Sequence, residues 1–292
     1  MEKYPKIFVV VLNYNGKRTL MECLRSVFDC DYSNFEVVLV DNNSTDGSFE
    51  TAKAKYPKIH FIKNNKNIGF GAGNNIGIRF ALEKMADFVF LLNNDAYLEK
   101  STLSILTEEA QKNPSSGILN PLILNKSDDS IWFSGGKINW FKMRTYHLHT
   151  PQETLSTFKT DCATGCAMMI KKDVHRKIGL FDEDFFLYYE DADLSVRAKR
   201  NGFDLLIAPT ATVWHDEQSS ASSEKLYWLI LSGVLFFKKN TPCFIKPWFY
   251  FYLWLRKIKN RKDLKKNKNN ESAKQIARAF SNSKNSVAQM RK

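Results

Sequence analysis

The first hundred residues alternate short, almost wholly apolar strands with helix-length segments. That alternation constrains the fold more than any other feature of the chain. The sequence predicts strands over Ile7–Leu12, Glu36–Asp41, Ile59–Lys63 and Phe88–Asn93. It predicts helices over Lys17–Phe28, from Ser44 to about Lys55, over Gly73–Lys84, and over Ser101–Lys112 with Ser101 as the cap. Strands that are apolar on both faces need cover on both faces, and a parallel sheet with crossover helices supplies it. An α/β fold follows. In open sheets of this kind ligands bind beyond the carboxyl ends of the strands. Four strand ends in this chain are polar: Asn13-Tyr14-Asn15, Asp41-Asn42-Asn43, Asn93-Asn94-Asp95 and Trp214-His215-Asp216.

Residues 113–165 are less regular, with Pro114, Pro121, Gly135-Gly136 and Pro151 between short β-like runs. Regularity returns with predicted strands at Ala167–Ile170, Leu205–Ala208 and Thr212–Trp214, and a helix over Asp191–Asn201 closed by Gly202. From Glu224 the chain changes character. Lys225–Phe237 is an apolar stretch of helical length, and a second run, Trp248 to Leu255, follows Pro242 and Pro247. Neither reaches the roughly 18–20 apolar residues that span a bilayer. Residues after Lys259 are rich in Lys and Asn and are expected to be weakly ordered, with a short helix allowed at Ala273–Phe280.

The net charge is +12, and its placement matters more than its size. From Lys238 onward 16 Lys/Arg face 2 Asp/Glu, which leaves residues 1–237 at −2. Such a block points to an anionic partner, either a membrane surface or a nucleic acid. The near-neutral body offers no basic groove, which argues against nucleic acid. The five cysteines form no regular framework. Cys162 and Cys166 enclose three residues with no second pair, so buried free thiols in a reducing cytoplasm are expected rather than zinc. Met1 to Lys6 leads straight into the first strand and does not read as a signal peptide.

Five constellations could carry chemistry. Asp41 ends a strand and can accept from a base N–H or a ribose hydroxyl, while the Ser44-Thr45-Asp46 run also suits a plain helix cap. Asn67-Ile68-Gly69 through Asn75-Ile76-Gly77 lets backbone approach a ligand or another strand. It lacks the dinucleotide Gly spacing. Asn93-Asn94-Asp95 can hold a hard divalent cation or form a turn. Phe181 to Arg197 carries six carboxylates among aromatics, with Glu190-Asp191-x-Asp193 where a helix should start. That setting serves either the helix dipole or a general base, and Arg197 shares a helical face with Asp193. His215 closes a strand, where it could join a metal or be structural.

Taken together and in this order, the segments resemble inverting family 2 glycosyltransferases of the GT-A fold, in the rhamnosyltransferase-like branch that builds bacterial cell-surface polysaccharides. The resemblance rests on Val9 to Gly16, Asp41 to Gly47, Asn67 to Gly77, Leu91 to Asp95, Thr164-Gly165, Gly179 to Glu183, Phe186 to Arg197 and Val213 to His215, and spans about residues 5–240. It implies a Rossmann-like, mostly parallel mixed sheet flanked by helices, with a C-terminal helical extension. It also implies a catalytic domain over 1–223, with a donor part at about 1–100 and an acceptor part at about 113–223. Amphipathic aromatic helices over 224–260 and a basic tail over 261–292 would follow.

The implied site is specific. Asn13, Tyr14, Asp41, Asn43, Asn67, Gly69, Asn75, Asn93 and Asn94 would bind the nucleotide sugar. Asp95 and His215 would hold Mg²⁺ or Mn²⁺, with Asn93 standing where the family's metal motif has its first Asp. Asp191 would be the base, supported by Glu190. Trp132, Thr164 and Gly165 would face the acceptor. The donor would be dTDP-rhamnose or a UDP-hexose, and the acceptor a glycan or lipid-linked glycan. The enzyme would be cytoplasmic and peripheral on the inner face of the cell membrane, touching anionic lipid through its basic aromatic end. A homodimer stays open. Two rivals remain at this stage. A sugar-phosphate nucleotidyltransferase would need a Gly-rich basic signature near the first strand, which Asn13 to Arg18 matches poorly. A nucleic-acid-binding protein would use the basic tail alone.

Overall fold

The computed structural model describes residues 4–150, 155–217 and 223–283. In chain order the first half holds β1 (Ile7–Asn13), α1 (Leu20–Phe28), β2 (Phe35–Asp41), α2 (Ser48–Lys55), β3 (His60–Lys63), α3 (Phe70–Glu83), β4 (Phe88–Asn93), β5 (Ala96–Leu98) and α4 (Thr102–Lys112). Then come β6 (Ser116–Asn125), β7 (Ile131–Phe133), β8 (Gly136–Asn139), β9 (Arg144–His147), β10 (Phe158–Lys159), β11 (Ala167–Lys171), α5 (Lys172–Ile178), α6 (Glu190–Arg200) and β12 (Asp204–His215). The chain continues with α7 (Ser223–Asn240), α8 (Lys246–Lys266) and α9 (Glu271–Asn282).

The main sheet runs β10-β12-β6-β11-β4-β1-β2-β3. β1 pairs in parallel with β2 and β4, and β2 with β3. The second half departs from parallel order: β11 is antiparallel to both β4 and β6. Alternation along β1 explains the double cover. Ile7, Val9 and Val11 pack with Leu20, Leu24 and Leu106 on one face, while Phe8 and Val10 pack with Ile78, Val174 and Leu194 on the other.

Several sequence expectations shift. The predicted strands Leu205–Ala208 and Thr212–Trp214 are one strand, β12, whose pairing with β6 slips between Ala208 and Thr212. A bulge keeps the ladder while changing its register, which a sequence reads as an interruption. α3 begins at Phe70 rather than Gly73, so most of the Gly-rich run is helical. Its glycines allow close packing: a Cβ on Gly73 would lie 2.6 Å from Leu12 Cδ1. Gly69, at φ +91°, takes a conformation that L side chains avoid. Ser101 occupies the N-cap position of α4 but makes no capping bond; its hydroxyl donates to Glu99.

The C-terminal region departs most. The weak order expected after Lys259 is corrected by α8, which continues to Lys266, while α9 contains the short helix allowed at Ala273–Phe280 and extends it at both ends. Asn270 caps α9 by accepting from the Ala273 amide, and Ala279 packs with Tyr227 and Leu231 of α7. Burying a side chain such as Phe280 contributes on the order of 1.5–3 kcal/mol, enough to outweigh a Lys- and Asn-rich composition. Residues 1–3 and 284–292 lie outside the described residues.

Candidate active site

The floor of the site is a buried polar hub at the ends of β1 and β2. Parallel register sets Asn13 beside Asp41. Asn13 Nδ2 donates to Asp41 Oδ1 (2.8 Å) and lies within 3.0 Å of the Ser44 and Ser48 hydroxyls. Asp41 also accepts from the Ser44 amide (2.9 Å) and hydroxyl (2.6 Å). Asn94 Nδ2 reaches across from β4 to Asn13 Oδ1 at 2.9 Å. Both Asn13 and Asp41 are fully buried, so these bonds replace the water they have lost.

Above this hub is a cavity of about 400 Å³. Tyr14, Asn67, Gly69, Asn93, Asn94 and Asp95 all line it, as the sequence suggested. Asn13, Asp41, Asn43 and Asn75 do not; Asn13 and Asp41 are corrected from ligand contacts to a fully buried hub that bonds to its protein neighbours. Asn43 is exposed in a left-handed turn, and the neighbouring Asn42 takes the lining position. Asn75 is corrected from a ligand contact to a structural clamp. Its amide donates to Phe181 O and Glu183 Oε1 (both 2.9 Å) and accepts from Phe181 N, tying α3 to the loop before α6. Sequence reasoning missed the opposite wall. Phe186 and Leu187 come from that loop, and Trp228 from α7 stacks on Phe186 at 4.3 Å.

Asp95 and His215 meet because β5 pairs antiparallel with β12, with Ala96 opposite His215. His215 Nε2 lies 3.2 Å from Asp95 Oδ1. That oxygen is buried and has no well-formed hydrogen bond. Burial alone would lower the His215 pKa, but Cys166 and Asp95 beside it outweigh burial and push it up to about 11. The spot favours positive charge. A divalent cation would take the place of the His215 proton here, held by the buried Asp95 oxygen and the neutral imidazole nitrogen. Among the described residues no cluster of three or more His, Cys, Asp or Glu forms a cage. Trp132 stacks edge-on to His215 at 4.5 Å and donates to Glu217, so it braces the imidazole.

The acidic pair sits at the start of α6. Tyr188 and Tyr189 both adopt left-handed backbone (φ +69° and +68°), a costly arrangement that aims Glu190 and Asp191 inward. Asp191 accepts from the Gly165 amide (3.1 Å) and the Ala192 amide (2.7 Å). Phe70, a wall of the cavity, also flanks Gly165: a Cβ there would come within 2.9 Å of its ring. Neither acid lines the cavity; Phe70 links the cavity wall to the Gly165 turn that holds Asp191. Burial raises the Asp191 pKa, and the two amides oppose that. Glu190 is raised well above the usual carboxylate range, by burial first and by the Asp191 charge second. Its Oε2 has no partner. The geometry assigns the proton to Glu190 and the charge to Asp191.

The remaining expectations divide. Asp193 pairs with Arg197 (2.7 Å) as the helical spacing predicted, and Asn240 of α7 donates to it (2.8 Å), so it is structural. Thr164 is buried, and its carbonyl accepts from Asn120. Of the expected acceptor residues, Gly165 touches the carboxylate pair, Trp132 touches His215, and Thr164 is framework.

Residues 8–179 match the sequence profile of Glycosyl transferase family 2. The chain belongs to that family. It is 27% identical over 208 residues to the low-salt glycan biosynthesis hexosyltransferase Agl10 of Haloferax volcanii, covering 68% of this chain and 62% of that protein. The chain therefore spans less than two thirds of that relative. It is 25% identical over 240 residues to an N-acetylglucosaminyl-diphospho-decaprenol L-rhamnosyltransferase of Mycobacterium tuberculosis, covering 74% and 78%. Among solved structures, GalNAc-T7 with UDP, GalNAc and Mn²⁺ superposes with a TM-score of 0.65 at 19% identity, over 82% of this chain and 48% of that one. The fold of this family 2 member is GT-A: a mixed, mostly parallel sheet flanked by helices, here followed by C-terminal helices.

Proposed function

We propose that this family 2 protein is an inverting glycosyltransferase that moves a sugar from a nucleotide-sugar donor to a hydroxyl of a glycan or lipid-linked acceptor. One observation carries the reading. A single cavity at the carboxyl ends of β1 and β4 is lined by Tyr14, Asn67 and Asp95, and its Phe70 wall packs beside Gly165, whose amide holds Asp191. Nucleotide recognition, a seat for the leaving diphosphate and a base are thus contiguous. Similarity to an L-rhamnosyltransferase and to the dTDP-rhamnosyl transferase RfbF of Shigella flexneri supports dTDP-rhamnose as donor, with a UDP-hexose next.

The roles follow from the residues. Tyr14 and Asn67 orient the base and ribose, and the buried Asn13–Asp41 hub fixes the strand ends that carry the lining residues. Asp95 and His215 would hold Mg²⁺ or Mn²⁺, which supplies positive charge to the leaving diphosphate. Asp191 takes the proton from the acceptor hydroxyl. The oxygen then attacks the anomeric carbon as the bond from that carbon to the diphosphate oxygen breaks, and configuration inverts in one displacement. Protonated Glu190 keeps the second negative charge out of the pocket. Gly165 and Ala192 hold the Asp191 carboxylate in place through their amides.

The C-terminal helices suit work at a bilayer surface. Among the described residues no helix is long and apolar enough to cross a membrane. Yet Tyr250, Phe251 and Trp254 on α8 are each about half exposed (55%, 48% and 55%). Their helix ends in a Lys/Arg-rich stretch from Arg256 to Lys266. Exposed aromatics beside basic residues favour an anionic interface. We place the enzyme peripherally on the inner face of the cell membrane.

Replacing Asp95 with Asn tests the donor assignment. In a calorimetric titration with UDP and dTDP, Mn²⁺ should tighten binding to the unaltered chain at least tenfold, and Asp95→Asn should lose that gain. Equal tightening in both proteins would refute it.

A further inference from the structure

A second cavity, of about 420 Å³, lies among α7, α8, α9 and the β8–β9 hairpin. Enclosed spaces of roughly 300–1,000 Å³ are the usual size for binding small molecules. Most of its wall is hydrocarbon, including Ile230, Val234, Phe237, Leu253 and Phe280. Among the described residues its charged lining groups are Arg144 and Arg256, with no carboxylate beside them. An apolar space with two cations and no anion matches an amphiphile with an anionic head. At roughly 30 Å³ per heavy atom, the share of one water in the liquid, the space holds on the order of fourteen carbons, one chain segment rather than two.

Two further observations say which amphiphile. Tyr189 lines this cavity and directly precedes Glu190 and Asp191. Two residues of backbone span at most about 7 Å, so the cavity wall is tied to the base. The Tyr189 ring is admitted by Gly233 of α7, where a Cβ would lie 3.2 Å from it, and it packs on Phe236 at 5.3 Å. The other observation concerns α8. Phe249, Tyr252, Leu253 and Arg256 recur at helical spacing and face the cavity. Tyr250, Phe251, Trp254 and Leu255 occupy the other side and are exposed. One helix thus separates this space from the face assigned to the bilayer surface.

We propose that this cavity binds the hydrocarbon chain of a single-chain lipid diphosphate that carries a sugar, with Arg144 and Arg256 pairing its phosphoryl groups, and that this sugar presents the acceptor hydroxyl to Asp191. The inference rests on the proposed transfer reaction and names its acceptor class. The head group leaves the cavity on the Tyr189 side. The chain enters past α8 from the interface.

The test uses the full chain and three probes titrated in EDTA: farnesyl diphosphate, farnesol and inorganic diphosphate. Farnesyl diphosphate should bind at least tenfold more tightly than either fragment. Leu229→Trp, which fills the cavity from its exposed edge, and the double change Arg144→Ala with Arg256→Ala should each weaken it at least tenfold. UDP or dTDP binding with Mn²⁺ in the same variants reports on the fold and on the donor cavity. Retained nucleotide binding with no preference for farnesyl diphosphate, or no effect of either variant, overturns the lipid assignment and leaves the transfer reading standing. Displacement of farnesyl diphosphate by UDP would put the probe in the donor cavity and also overturn it. So would a concentration-dependent dimer of the unaltered chain that Leu229→Trp abolishes. Failure of the unaltered chain to bind any nucleotide would instead strike the proposed function.

Discussion

Asn13→Ala should be among the most damaging single changes in the donor half. The side chain is fully buried, and its amide stands within 3.0 Å of three acceptors: Asp41 Oδ1, Ser44 Oγ and Ser48 Oγ. Its carbonyl accepts from Asn94. A hydrogen bond to a charged group contributes about 1.5–3 kcal/mol, and the Asp41 contact is of that kind. Leaving the Asn94 donor without its partner adds about 1 kcal/mol. Asp41 keeps the Ser44 amide and hydroxyl, which bounds the loss. The total is about 2.5–4 kcal/mol. At roughly 2–4 °C per kcal/mol for a chain of this size, Tm should fall by about 5–16 °C.

Asn13→Asp separates the chemistry from the volume. The new carboxyl would face Asp41 across the 2.8 Å contact, so the two must share a proton. Its destabilisation should be larger at pH 8 than at pH 5, whereas that of Asn13→Ala should change little. Differential scanning calorimetry at the two pH values reads both, and UDP titration reads the loss of nucleotide affinity. A Tm drop under 2 °C for Asn13→Ala, or a pH-independent Asn13→Asp, would refute the hub.

Glu190→Gln tests the protonation assignment. Because the folded Glu190 pKa is raised, the wild type loses stability as pH rises above the ordinary carboxylate range, at up to about 1.36 kcal/mol per pH unit, until the folded pKa is passed. Glu190→Gln should therefore gain Tm relative to wild type at pH 8 and little at pH 4; the reverse trend would contradict a protonated Glu190. The exposed face of α8 gives another test. Phe251→Ser with Trp254→Ser should leave Tm nearly unchanged, since both rings are half exposed, and should lower co-sedimentation with anionic vesicles several-fold. Equal pelleting would remove α8 from the membrane contact.

The sequence carried the donor half well, because a parallel sheet buried on both faces leaves a periodic record. β1 to β4 end where Asn13, Asp41 and Asn93 suggested, and register alone then brings Asn13 and Asp41 together. Asn75 and Asn43 were misread because an Asn in a polar turn looks the same whether it serves a ligand, a clamp or a left-handed bend. The Asp95–His215 contact joins residues 120 positions apart through one antiparallel pairing, which no local pattern encodes. Trp228 was hidden in an apolar stretch, where helical spacing shows that a face is buried but not what it covers. In the basic end the sequence allowed the helix at Ala273–Phe280 but not its docking, since composition does not show that the few apolar residues of α9 pack on α7.

The central claim is that Asp191 removes the acceptor proton while the donor is held elsewhere in the site. Asp191→Asn keeps the size of the side chain and can still meet the Gly165 amide through its oxygen. With a nucleotide-sugar donor, a lipid-linked acceptor and Mn²⁺, single-turnover transfer should fall by at least about 10³-fold, within the range for loss of a general base. UDP or dTDP affinity should stay within about twofold. Transfer within tenfold of wild type, with nucleotide binding unchanged, would contradict the account.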